Sequence, residues 1–379
     1  MRQISYLVVA QLLSFSVVTM MVVASSLVGL ALSPLPELAT LPLSLQVAAF
    51  AAALIPATRF MQRFGRRRVM LVMNMAASLS LVLCIVAVLS QSFILFCLGS
   101  GLLGGSLAYI QQLRFVAIEA VTDPQQSVAL SWIMMAGIGA AFLGPELTTL
   151  GQLITQTNWI GSYSLGVVCL VLTFLLLHRY LPTTVPCSSD SKEAAKSKVR
   201  PALIVVLCAG ALGGALMTLI MTATPITMHH HNGFDLESTT RVIQWHIVAM
   251  FAPSLLTSRL LKIISIRQMM GLGALIIAVC AYIGFYAADY SQFVLSLVLL
   301  GVGWNFLFMG STLLLPTLSP GNEKLRFQGY LDGSAATLQA IGTLTAGALL
   351  HFAGWTSILA FSGLVAIGVA LSLTIKRFH

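Results

Sequence analysis

Of the chain's 379 residues, 58% are hydrophobic and only 8% charged, with a mean hydropathy of +0.94. A soluble domain carries about 25% charged residues, so these figures exclude a soluble globular protein. A net charge of +9 and a pI near 9.5 would suggest nucleic acid in a soluble chain, but here the cations fall in the breaks between apolar runs, which excludes that partner and points to a polytopic protein in a lipid bilayer.

A spanning helix needs about 20 mostly apolar residues. Twelve such runs are predicted, at 5–32, 41–60, 69–90, 93–116, 127–150, 159–181, 202–228, 240–258, 268–288, 291–316, 328–350 and 354–375. The first starts almost at Met1 and lacks a small-residue cleavage site, which predicts a retained helix. The break after the second run carries Arg59, Arg63, Arg66, Arg67 and Arg68, a surface suited to the cytoplasmic face and anionic lipid. The fourth run carries Gln111, Gln112 and Arg114. Arg114 is a candidate for a gating ion pair with Glu119 or Asp332, or equally for snorkelling to the interface. The fifth holds Gly137, Gly139 and Gly144-Pro145, a pattern of close helix packing, followed by Glu146 as a coupling or gating candidate.

Residues 182–200 are polar and form a predicted cytoplasmic linker. They divide the chain into an N-terminal six-helix half, 1–181, and a C-terminal one, 201–379. Run seven carries Met217-x₃-Met221 and run eight His246-x₃-Met250. A spacing of four puts both members of a pair on one helix face. Counting 1.5 Å per residue from the outer ends, Met221 and His246 lie roughly 10 Å deep, and Met217 and Met250 roughly 15 Å. The short connection predicts neighbouring helices with four soft ligands level with one another, a set that suits Cu(I). Such pairs are about as frequent as chance gives in a chain with 16 Met; the alternative is core packing around a hydrogen-bonded histidine. His229-His230-His231 at the outer mouth reads equally as a metal collector or a solvated cluster. Trp304 and Asn305 in run ten join Gln111 and Gln112 as candidates for lining a cavity for an organic solute. Asp332, about one turn into run eleven, is a proton-relay or gating candidate. The six Cys lack paired spacing and are expected to be free thiols.

With the N-terminus inside, every basic residue of the 20 except Arg241 falls on the cytoplasmic side, which orients both termini inward. At an offset of 200, Arg59 meets Arg259, Arg67 meets Arg267 and Met70 meets Met270, so the halves are an internal repeat. No GxxxxGK[ST] phosphate loop is present; the expectation is a transporter driven by a gradient, not an enzyme, and with no cofactor.

The six-plus-six topology and the loop Arg63-Phe64-Gly65-Arg66-Arg67 resemble the major facilitator superfamily, whose loop motif is written G-x₃-D-R-x-G-R-R. Thr58 stands at its Gly position and Gln62 at its Asp position, where the family's charge relay needs a carboxylate. The resemblance implies an all-α membrane fold of twelve helices working by alternating access around a central site. The pairs on runs seven and eight are similar to those of the CcoA-like copper importers of that superfamily. This implies an importer in a bacterial inner membrane, with copper as transported substrate and Met217, Met221, His246 and Met250 as its ligands. It also implies a copper chaperone or cuproenzyme assembly factor as partner. Relatives without the pairs are associated with riboflavin or other organic solutes, which is the alternative function; a non-transporting scaffold or sensor is a third.

Overall fold

The computed structural model describes residues 2–35, 38, 41–122, 125–155, 159–181, 201–228, 233–319 and 323–374, and among them every regular element is a helix. In order these are α1 (Arg2–Leu32), α2 (Leu41–Phe64), α3 (Arg66–Leu89), α4 (Phe93–Ser106), a 3₁₀ turn (Leu107–Tyr109) and α5 (Ile110–Glu119). Then come α6 (Gln126–Ile154), α7 (Ile160–Tyr180), α8 (Pro201–Ile226), α9 (Leu236–Phe251) and α10 (Ser254–Leu260). The last are α11 (Ile266–Phe285), α12 (Tyr290–Leu318) and α13 (Lys324–Thr374). In hydrocarbon each backbone N–H and C=O must find a partner within the protein, and a helix meets that need within one segment.

Among the described residues ten helices, with α4 and α5 taken as one, are long and apolar enough to cross a membrane. Two breaks bring these to the twelve expected spans. Gly354, at φ 80° and ψ 165°, divides α13 into 324–353 and 355–374; this left-handed backbone is open to glycine at little cost. The eighth span is parted at Ala252-Pro253 into α9, of 16 residues, and α10, of 7.

Contacts divide the chain into Met1–Lys192 and Glu193–His379. That boundary falls within the expected linker 182–200, which lies outside the described residues, as do Cys187 and His229-His230-His231. In the N-terminal unit α1 packs on α6 and α7, α3 on α4 and α7, and α2 on α4. Glycines set the closest approaches: a Cβ on Gly104 would collide with the Gln46 carbonyl, and one on Gly144 would lie 2.8 Å from the Met20 nitrogen. Thr19 Oγ1 donates to the Ala140 carbonyl at 2.8 Å across the same α1–α6 seam. The glycines of the fifth span therefore serve packing.

In the C-terminal unit α8 packs on α13 and α12, α11 on α12 and α13, and α9 on α12. Gly273 and Gly303 face each other across α11 and α12, and Gly301 admits the backbone of α9, with its hypothetical Cβ 2.9 Å from the Met250 nitrogen. Asp235 caps α9 by accepting from the Ser238 N–H at 2.8 Å, and its hydrogen bonds with Ser238 hold its carboxyl below the ordinary carboxylate range. The repeat is visible in local register: Arg67 and Arg267 each stand second in α3 and α11, and Met70 and Met270 are each fully buried.

Candidate functional site

In the C-terminal unit the face shared by α9 and α12 gathers the most chemistry. Residues 246, 250 and 254 rise along one side of the α9–α10 span and meet Leu297, Gly301 and Asn305 of α12, both series at a spacing of four. His246 is fully buried, with Nδ1 2.8 Å from the Leu297 carbonyl. A carbonyl only accepts, so Nδ1 carries the hydrogen and Nε2 of the neutral ring is left as an acceptor. Nε2 has no hydrogen-bond partner among the described residues, and neither do Trp304 Nε1 and Asn305 Oδ1, both also buried. Buried polar atoms are partnered in the great majority of cases, so an acceptor, a donor and a second acceptor left open on α9 and α12 are candidates for contact with a polar ligand. Beside them the Trp304 ring stacks on Phe308 (4.9 Å between centroids, 23° between planes) and meets Phe251 edge-on at 6.2 Å. Phe251 and Phe308 are only half-buried.

Asn305 has a structural duty that its sequence position did not suggest. Its amide donates to the Met250 carbonyl at 2.8 Å and to Ser254 Oγ at 2.7 Å. The helix break at Pro253, which has no N–H to give, lies between those two residues. As a solute-binding candidate Asn305 is corrected in part: its donor half is committed to the protein and only Oδ1 remains. Interhelical hydrogen bonds in membranes average about 0.6 kcal/mol and reach about 1.7. Asn305→Ala is therefore expected to cost about 1–3 kcal/mol, read as a lower thermal unfolding midpoint of the purified protein.

The four copper candidates lie on two helices that touch each other little and both pack on α12. Met217 is buried on α8 and Met221 half-buried one turn on, but α8 lies along α13 and α12 and makes little contact with α9. His246 and Met250 belong to the side of α9 that abuts α12. Helices α8 and α9 are consecutive in sequence, but each packs chiefly on other helices, with α12 common to both. Gly213 brings α8 against Leu307, and Gly342 brings α13 against the Ala215 carbonyl, 3.0 Å from its hypothetical Cβ.

The charged candidates resolve differently. Arg114 is buried, which rules out snorkelling; its Nη1 donates to Gln111 Oε1 at 2.6 Å, and its guanidinium lies 4.7 Å from the Phe115 ring centre. Glu119, one expected partner of Arg114, is held by Arg66 Nη1 at 2.7 Å. Gln112 is buried beside them on α5. Glu146 is exposed on α6. Asp332 is buried, eight residues into α13 and one turn into the apolar run that begins at 328. In the loop motif Gly65 takes φ 85° to turn α2 into α3, Arg66 is buried, Arg67 Nη2 donates to the His178 carbonyl at 2.5 Å, and Arg63 is exposed.

The sequence reading missed a polar knot in the N-terminal unit. Asn74 Nδ2 donates to the Tyr109 hydroxyl at 2.6 Å, that hydroxyl bonds Ser14 Oγ at 2.8 Å, and Ser14 Oγ donates to Thr173 Oγ1 at 3.3 Å. All four side chains are fully buried and tie α1, α3, the 3₁₀ turn and α7. The signal was a lone Asn in the middle of an otherwise apolar run.

Comparison with known proteins follows this geometry. The chain is 33% identical to the riboflavin transporter RfnT of Brucella anthropi over 383 residues, covering 99% of this chain and 96% of that protein. It is 30% identical to the MFS-type transporter YddS of Bacillus subtilis, covering 87% and 80%. Among solved structures, a bacterial homologue of the iron transporter ferroportin in its outward-facing state aligns with a TM-score of 0.78 at 11% identity over 98% of both chains. The human organic anion transporter MFSD10 aligns at 0.77 and 14%, over 98% of this chain and 99% of that one. These two likenesses show the fold. The family model described as Major Facilitator Superfamily matches residues 7–243 and 206–378, and the chain, a multi-pass membrane protein, belongs to that superfamily.

Proposed function

We propose that this protein is a secondary-active transporter of a small organic solute of the riboflavin type, working by alternating access in a bacterial inner membrane with both termini cytoplasmic. The observation that carries the reading is the identity of 33% along 99% of the chain with a riboflavin transporter. The chemistry of the α9–α12 face agrees with it. A flat fused-ring solute with amide and hydroxyl groups needs an aromatic platform and single acceptors and donors, and Trp304 with Phe251 and Phe308 supplies the first, His246 Nε2, Trp304 Nε1 and Asn305 Oδ1 the second. Copper import draws no such support: none of the relatives described is named for copper, and α8 and α9 do not pack flush.

The test is uptake of labelled riboflavin and of radiocopper, side by side, in a riboflavin-auxotrophic bacterium expressing the chain. Riboflavin uptake and growth rescue are expected. His246→Ala should lower riboflavin uptake about tenfold, the equivalent of about 1.4 kcal/mol, while Met217→Ala and Met221→Ala change it little. Copper uptake that rises with expression and is lost in Met217→Ala, Met221→Ala, His246→Ala and Met250→Ala, with no riboflavin rescue, would overturn the reading.

A further inference from the structure

The N-terminal unit carries a second feature that transport of a solute does not use. A groove of about 1000 Å³ runs between α2, α3 and α4, lined by alanines and glycines at its floor and by Phe60, Phe64, Val72 and Leu98 along its rims, with Arg68 as its one charged lining residue. From Leu45 to Phe64 the lining follows α2 for roughly 28 Å by helix rise, close to the roughly 30 Å of bilayer hydrocarbon.

The charge beside one end of this groove is uncompensated. Residues 41–118 contain Arg59, Arg63, Arg66, Arg67, Arg68 and Arg114 and not one Asp or Glu. Three of these are committed to the protein: Arg66 to Glu119, Arg67 to the His178 carbonyl, and the buried Arg114 to Gln111. Arg59, Arg63 and Arg68 are exposed, and among the described residues no hydrogen bond or ion pair engages them. Arg63 lies 5.2 Å from the centre of the Phe64 ring, at the rim of the groove. Arg68 lines the groove, Arg63 lies against its rim residue Phe64, and Arg59 stands one turn before Arg63 on the same face of α2. Cations so placed beside an apolar groove of this length fit one kind of molecule, an anion with a long hydrocarbon tail.

We propose that the α2–α3–α4 groove binds an anionic phospholipid of the inner leaflet, with an acyl chain along the groove and the headgroup phosphate on Arg59, Arg63 and Arg68. Arginine suits that phosphate because its planar fork makes paired hydrogen bonds, and the surface field of anionic lipid adds to each cation. The orientation follows from the inward placement of basic residues. The proposal is independent of which solute the protein carries.

The experiment is native mass spectrometry of the purified full-length protein, titrated with dioleoylphosphatidylglycerol or with dioleoylphosphatidylcholine, which has the same chains and a zwitterionic headgroup. The wild type is expected to retain phosphatidylglycerol about tenfold more tightly. The triple variant Arg59→Gln, Arg63→Gln, Arg68→Gln should lose that preference, and the matching Arg→Lys triple should keep most of it. Gly101→Leu tests the groove: its Cβ would sit 3.8 Å from the Leu45 Cβ, an ordinary contact, so the helices stay in place while the side chain fills the space, and retention of both lipids should fall. Size-exclusion profiles report folding, and Arg259→Gln with Lys262→Gln is the control for charge elsewhere. Equal retention of the two lipids by the wild type, a triple Gln variant that keeps the preference, or an equal loss in the Arg259/Lys262 control overturns the proposal; the arginines would then serve topology alone.

Discussion

Trp304→Ala is expected to lower uptake at least tenfold and to cost about 2 kcal/mol of stability, the largest packing loss of any single truncation in the C-terminal unit. Removing a buried Trp from a soluble protein costs about 3–5 kcal/mol, part of it the transfer of the ring into water. In a bilayer the unfolded reference still holds the ring in an apolar medium, so that part falls away and the loss of packing remains. The packing here is specific: one face stacked on Phe308 and one edge contact with Phe251. Trp304→Phe separates the two roles of the residue. It keeps an aromatic ring for both neighbours and removes the N–H, which has no partner among the described residues, along with part of the bicyclic ring. Thermal unfolding of Trp304→Phe should stay near wild type while riboflavin uptake falls severalfold. Wild-type uptake in both variants would show that the ring serves neither the solute nor its helix.

Much of this architecture is legible in the sequence because the bilayer imposes a simple code. Apolar length gave each span, and the basic breaks gave the cytoplasmic turns. The helices outrun the apolar runs where charge begins: the second run ends at 60, but α2 continues to Phe64, and α3 starts at Arg66 ahead of its run at 69. Hydropathy marks the hydrocarbon, and a helix continues into the polar interface where Arg is at home.

What was not legible is azimuth. A spacing of four shows that His246 and Met250 share a face; it does not show which neighbour that face meets. The answer sat in another span, as Leu297, Gly301 and Asn305, and the decisive residue is the glycine that admits the α9 backbone. The break in the eighth span has the same character. Pro253 was visible, but whether a helix bends, breaks or runs on depends on who satisfies the freed carbonyl, and Asn305 lies 55 residues from Met250. The knot around Tyr109 joins four segments whose pairing only packing reveals. The copper candidates meet the same limit: the depth count along each helix is one-dimensional, and a ligand set needs the other two dimensions.

The second large effect is expected at Arg66. Its guanidinium is buried and its Nη1 lies 2.7 Å from Glu119 Oε2, joining α3 to the end of α5. Removing one partner of a buried pair costs about 3–5 kcal/mol because the other charge is left unpaired. Glu119 retains 30% of its side-chain exposure and can rehydrate, so Arg66→Ala is expected to cost about 2 kcal/mol. Glu119→Ala should cost about as much or more, since it takes a charged partner from the less exposed side chain, an arginine that cannot shed its proton. Glu119→Gln, which keeps an acceptor for the Arg66 N–H, should cost about 1 kcal/mol. The decisive measurement is the double-mutant cycle on thermal unfolding. Arg66→Ala combined with Glu119→Ala should be no worse than Glu119→Ala alone, and the loss should depend weakly on salt because a part-buried pair is poorly screened. Additive losses in the double variant would mean that the two side chains act separately.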